Sequence, residues 1–477
     1  DPPPVGGNLS QLRPRLGVQR LQFGQIGFRP GFVSGLPGRI DRDQPVADVG
    51  DIDFGIGDVL PGVRVGPAMR MAMIVAVLLL AATVRAQTPI SIGFTDTVYS
   101  RILKEPRSIW VHVPDSDGRG VFAPQRYPVL YLLDGDAHFA SVVGIIQQMS
   151  SVNGNSVFPK MIVVGIPNTD RTRDLTPTHI VNDPPMMGTA FSRTTGGGEN
   201  FLSFIEKELM PHIDSLYPTE PYRVLVGHSF GGLLVMQCLT QHTKLFNAYV
   251  AIDPSMWYDR ERFLESTKKA LTEKRYDGVS LYLGYANTME PGMGLRQAQD
   301  DTTAETRHIR SIINLEKFLK RTKGSGLRYE SRYYAYDDHG SVPLITEYDG
   351  LRFIFDYYQL KLSRKEMQDS TMALIDKMEK HYRLVSKRFG YTVKPPENTV
   401  NTLGYQALGA GQIEKAERFF KWNVESYPQS ANVYDSYGDY FVAKGDTANA
   451  IVQFKKALAV RETPETRQKL EALLGKK

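Results

Sequence analysis

Ser229 stands in Gly227-His228-Ser229-Phe230-Gly231, directly behind the apolar run Val224-Leu225-Val226. A serine held on a sharp turn between a strand and a helix can attack an acyl carbon. Glycine on both sides removes the Cβ atoms that would crowd such a turn. The hydroxyl is a poor nucleophile until a base takes its proton, and a histidine serves as that base when a carboxylate fixes its tautomer. The expected chain order at such a site is serine, acid, histidine. His339, in Tyr336-Asp337-Asp338-His339-Gly340-Ser341-Val342-Pro343, meets that order because it follows the last alternating strand, at 328–336, whereas His308 and His381 fall in helical segments. The acid should follow the strand at 279–283, which points to Glu290; Asp300 and Asp301 are the alternatives, although they could cap the next helix instead. The oxyanion formed on attack needs two fixed N–H donors. The Phe230 amide is one by the geometry of the turn. The second is expected from the loop Asp134-Gly135-Asp136-Ala137-His138, with Asp136 favoured and His138 in the pocket wall.

These groups need a frame. Short apolar runs at 128–133, 161–166, 222–226, 248–252 and 279–283 are mostly separated by helical stretches. Continuous apolar strands of this kind predict a mainly parallel sheet covered by helices, with the site at the carboxyl ends of the strands. The runs 100–103 and 108–113 predict a hairpin leading into that sheet. Residues 167–198 have no periodicity, and a loop of that length beside the site reads as a lid or substrate-binding flap, or else as a solvated insertion, with Gly196-Gly197-Gly198 as a hinge or a flexible entry to the next helix.

The 477 residues carry a net charge of +5, with no basic cluster interleaved with aromatics, so nucleic acid is not the expected partner. The single cysteine, Cys238, excludes an intramolecular disulfide and reads as a core position. Residues 1–68 contain no Lys, Glu, Tyr or Trp and are rich in Gly, Pro, Val and Arg; they read as upstream read-through or a disordered extension. Met69-Arg70-Met71 then opens an apolar run that ends in Val84-Arg85-Ala86, the pattern of a secretory signal peptide at 69–86. A periplasmic or secreted protein without a membrane span in its mature form is the expectation.

A catalytic domain is expected at 87–362, a helical linker at 363–396 and a small all-α domain at 397–477. In the last of these, Gly404, Gly411, Ala416 and Phe420 recur as Gly438, Gly445, Ala450 and Phe454, an offset of 34 residues that predicts tetratricopeptide-like repeats. The repeats would serve a protein partner or self-association.

Tyr131-Leu132-Leu133-Asp134-Gly135, Gly227-His228-Ser229-Phe230-Gly231-Gly232, Asp253-Pro254-Ser255-Met256-Trp257 and His339-Gly340-Ser341-Val342-Pro343 occur in that order. With them, the region from about 90 to 362 resembles the Putative esterase family of α/β-hydrolases, which includes esterase D and the enterochelin and ferric-siderophore esterases. The resemblance implies an α/β-hydrolase fold, catalytic roles for Ser229 and His339, an oxyanion amide at Asp136, and Trp257 beside the acyl or alcohol pocket. It also implies a serine carboxylic-ester hydrolase of small-molecule esters, working through an acyl-enzyme without metal or organic cofactor. A siderophore esterase is the narrower alternative, in which Arg171, Arg173 and Arg193 of the flap would receive an anionic ferric catecholate. An acyltransferase of the same fold and an interaction protein whose repeats bind a partner are the others.

Overall fold

A computed structural model of the chain describes residues 90–115, 120–181, 188–322 and 324–475. The segments read as extension and signal peptide lie outside the described residues. Strands β1 (Phe94–Ser100), β2 (Glu105–His112), β3 (Tyr127–Leu133), β4 (Ile162–Ile166), β5 (Thr219–His228), β6 (Ala248–Ile252), β7 (Ser280–Ala286) and β8 (Arg328–Tyr334) form one sheet in the order β1-β2-β4-β3-β5-β6-β7-β8. The β1–β2 and β2–β4 pairs are antiparallel and the others parallel. Every residue of β3, β4, β6 and β7 is buried. Strands covered on both faces can be apolar throughout, which is why they are legible as runs rather than as alternations.

Alternate residues feed two cores. Tyr131, Leu225 and Tyr249 face the layer formed by the helices Phe230–Gln241, Arg262–Glu273 and Arg307–Arg321. Leu130, Val224 and Val250 face the helices Gly135–Ser150 and Val342–Ile354. This is an α/β-hydrolase-like fold. Of the predicted strand at 100–103, Ser100 ends β1 and the rest is the turn after it, where Glu208 accepts hydrogen bonds from Ser100 Oγ at 2.5 Å and the Arg101 amide at 2.9 Å.

The segment beyond the sheet is helical and belongs with it to one compact unit. The helix Ala373–Phe389 joins two cores: Phe389 packs on Tyr222 of β5, ring centroids 4.6 Å apart, while Leu374, Ile375 and Met378 enter the core of the last helices. Buried Glu397 accepts from the Ala123 amide at 2.8 Å and from Ser430 Oγ at 2.7 Å, and so ties the two parts together. The helices Glu397–Gly409 and Ile413–Ser426 form one hairpin, and Ala431–Ala443 with Thr447–Val460 a second. In each, a glycine lets the two helices close on a phenylalanine: a Cβ on Gly404 would sit 2.9 Å from the Phe420 ring, and one on Gly438 2.4 Å from Phe454. Among the described residues no helix is long and apolar enough to cross a membrane.

Candidate active site

Strand β5 delivers Ser229 with φ 60° and ψ −112°, a region that residues with a Cβ seldom occupy. The turn is held from both sides. The Ser229 amide donates to the Ile252 carbonyl at 2.9 Å, and its own carbonyl accepts from Leu233 at 3.0 Å and Ser255 at 3.1 Å. A Cβ on Gly227 would lie 2.5 Å from the backbone of Gly231, so the two flanking glycines are in mutual contact. Ser229 Oγ rests 3.3 Å from Ser255 Oγ, which is its hydrogen-bond partner among the described residues. Catalytic hydrogen bonds are often long or absent before substrate binds and form in the complex.

His339 comes from the loop after β8 and reaches the same end of the sheet, its ring centroid 4.5 Å from that of His228. Its Nδ1 lies 2.5 Å from Asp253 Oδ2, which leaves Nε2 as the nitrogen able to act as a base. Glu290 does not take the acid's place, because its side chain is exposed. Of the alternatives, Asp300 is exposed and Asp301 is engaged by Thr303 at 3.0 and 2.6 Å. The carboxylate on the histidine comes from the end of β6 instead. The register pairs His228 with Ile252, so Asp253 is the next residue beyond the strand that flanks the serine strand.

Asp253 is 1% exposed. Burial pushes its carboxyl upward, but hydrogen bonds from His308 and His339 and from the Ala286 amide outweigh that effect and hold it well below the usual carboxylate range. His308, on the helix Arg307–Arg321, places Nε2 2.9 Å from the same Oδ2. Sequence reasoning set His308 aside as helical; nothing local in the sequence shows that the first turn of that helix abuts β6.

On the oxyanion side, Phe230 opens the helix after the serine and Asp136 lies in the first turn of Gly135–Ser150, so both amides belong to helix N-termini at this end of the sheet. The loops touch: a Cβ on Gly231 would be 3.0 Å from Asp134 Oδ2.

The flap residues Arg171 and Arg173 are not the anion receptors anticipated. Arg171 donates to both Asp134 oxygens, at 2.6 and 3.0 Å, and to the His228 carbonyl at 3.2 Å. Arg173 binds Glu105 at 2.5 and 3.0 Å and Asp174 at 2.7 Å. Their charge is spent in anchoring the flap to β2 and to the serine loop. The glycine run is likewise pinned rather than a free hinge, with the Gly197 amide on the Arg173 carbonyl and that of Gly198 on Thr176, both at 2.9 Å. Phe191 of the flap stacks on Phe230, centroids 5.7 Å apart, and Trp257 lies 6.0 Å from Phe230, giving an aromatic cluster next to the serine in the chain.

His138 lies beside the serine strand, its ring 5.8 Å from that of His228. Burial first, then His339 and His138, depress His228 to about 3, so it is neutral at physiological pH. Burial also lowers His138 and raises Glu347, which lies 3.6 Å from His138 Nδ1, to about 8. A carboxyl raised from 4.5 to about 8 keeps its proton in the folded chain while the unfolded chain loses it, so folding stability falls as pH rises through that window. The fall amounts to on the order of 4 kcal/mol. Glu347→Gln is expected to remove this dependence: the melting temperature of the parent chain should drop between pH 5 and pH 8.5, as measured by calorimetry, and that of the variant should not.

Residues 100–321 match the Putative esterase family, a span that includes Ser229, Asp253 and His308 and stops short of His339. An IroE-like serine hydrolase from Shewanella oneidensis is 30% identical, with 70% of this chain and 99% of that one covered at a TM-score of 0.57.

This chain belongs to the Putative esterase family.

It is an enzyme of the ester-hydrolase class. Among curated relatives, the siderophore enterobactin esterase of Emericella nidulans is 25% identical over 49% of this chain and 82% of that protein. The ferri-bacillibactin esterase of Bacillus subtilis is 32% identical over 34% of this chain and 59% of its own length.

Proposed function

We propose that the chain is a serine esterase acting through an acyl-enzyme on Ser229, with His339 as general base and Asp253 as the acid, and that its substrates are siderophore esters. The observation that carries the reading is a strained serine elbow at the same sheet end as a histidine whose Nδ1 is held by a buried carboxylate at 2.5 Å. His339 Nε2 takes the Ser229 proton as Oγ attacks the ester carbonyl, and the amides of Phe230 and Asp136 receive the developing oxyanion. The imidazolium then protonates the departing alcohol. Water, deprotonated by His339, attacks the acyl-serine and releases the acid.

Siderophore esters as substrate are supported by the activities named for the two curated relatives. They are supported too by His339, whose side chain is 44% exposed and open to a bulky ligand. Aromatic catecholate rings match the surface of Phe191, Phe230 and Trp257. The pattern at 69–86 points to export, and the two C-terminal hairpins, repeating at 34 residues, are read as a tetratricopeptide-like pair buttressing the hydrolase part.

The test is chromatography of a cyclic tricatecholate triester, iron-free and ferric, after incubation with the enzyme, beside p-nitrophenyl acetate and octanoate. Ring-opened catecholate acids are the expected products. Turnover confined to the p-nitrophenyl esters would remove siderophores and leave the esterase.

A further inference from the structure

One carboxylate oxygen, Asp253 Oδ2, is shared by two imidazoles: His339 Nδ1 at 2.5 Å and His308 Nε2 at 2.9 Å. Proton transfer from the serine needs only the first. The two rings stand edge to face, centroids 5.2 Å apart, and the three donor atoms lie within 4.8 Å of one another. Two neutral imidazoles and a carboxylate, with water in the fourth position, are a donor set suited to Zn²⁺. We infer that Asp253, His308 and His339 form a binding site for a divalent metal ion of the zinc type, and that its occupation switches the esterase off.

Donors about 2.0 Å from a tetrahedral ion lie roughly 3.3 Å apart, so each N···O separation has to open by less than about 1 Å. Movement falls to the histidines: the side chain of His339 is 44% exposed and that of His308 19%, while Asp253 is 1% exposed and fixed by the Ala286 amide at 3.0 Å. Inhibition follows from the tautomer. An imidazole that coordinates through Nδ1 carries its proton on Nε2, and an Nε2–H cannot accept the Ser229 proton. His308, coordinating through Nε2, moves its own proton to Nδ1. Binding places a divalent ion beside the buried carboxylate of Asp253. The inhibitory effect rests on the serine-esterase reading; the metal site does not.

Binding is measured on the full chain with Co²⁺, whose tetrahedral complexes absorb strongly in the visible. One equivalent should bring up the bands, Zn²⁺ should displace them, and micromolar Zn²⁺ should suppress ester turnover until a chelator restores it. Loss of a mere partner of a ligand costs about 10–100-fold in metal affinity. His308→Gln should therefore lose the bands and need at least about tenfold more Zn²⁺ for half-inhibition relative to its own metal-free rate. His308→Asn makes the same comparison if the first variant does not fold. Ser229→Ala should keep the bands without turnover, so the metal site is decided even where no ester is hydrolysed. An absence of bands in the parent chain, or bands and zinc sensitivity unchanged in the His308 variants, would overturn the inference.

Discussion

Ser229→Ala is expected to lower kcat by about 10⁶-fold on any ester the enzyme accepts, the size of loss found when the nucleophile of a serine hydrolase is removed. The residue left over would come from the oxyanion amides and from binding alone. Alanine is the informative choice because it keeps the Cβ. Ser229 sits at φ 60°, and alanine retains that backbone strain, so the melting temperature should stay close to that of the parent. The Oγ itself makes one long contact, 3.3 Å to Ser255, whose loss costs little. Mass spectrometry with a slowly deacylating ester checks the same point: the parent chain should gain one acyl group and the variant none. Equal turnover by parent and variant would end the acyl-serine mechanism.

The second large effect is expected at Asp253. Asparagine has nearly the same shape, but its amide offers one acceptor oxygen where the carboxylate receives Nδ1 of His339, Nε2 of His308 and the amide of Ala286. If the NH₂ faces His339, it forces the tautomer with the proton on Nε2, which is the wrong one for a base. In triads of this kind the change costs about 10⁴-fold in kcat. Asp253→Asn should therefore lower kcat by about 10³- to 10⁴-fold with a much smaller change in KM, whereas Glu290→Gln should leave kcat nearly unchanged. The reverse ranking would return the acid to the position after β7.

These two residues mark the border of what could be read without coordinates. Strand runs were legible because parallel strands covered on both faces are apolar at every position, as β3, β4, β6 and β7 are. The serine turn was legible because its geometry makes local demands, a glycine on each side and a strand before it. The hairpins after 396 announced themselves through an offset of 34 residues, since a glycine facing a phenylalanine is a requirement that recurs with the repeat. In contrast, Arg171 and Arg173 looked available to a ligand because their partners Asp134 and Glu105 are 37 and 68 residues away in the chain. The misread strand at 100–103 is apolar enough for a strand, but beyond Ser100 it turns, where Glu208, 108 residues from Ser100, captures its polar groups.

By itself, the sequence determined the parallel-sheet class, the strand-turn-helix serine and the family to which the chain belongs, because each rests on short-range steric or burial rules written in contiguous residues. Only the tertiary structure decided which carboxylate meets His339, that His308 shares its oxygen, and that Arg171 and Arg173 are already paired with carboxylates. Those are contacts between side chains on different elements. The register of β5 against β6 and the packing of one helix on the sheet bring them together, and no local spacing encodes either.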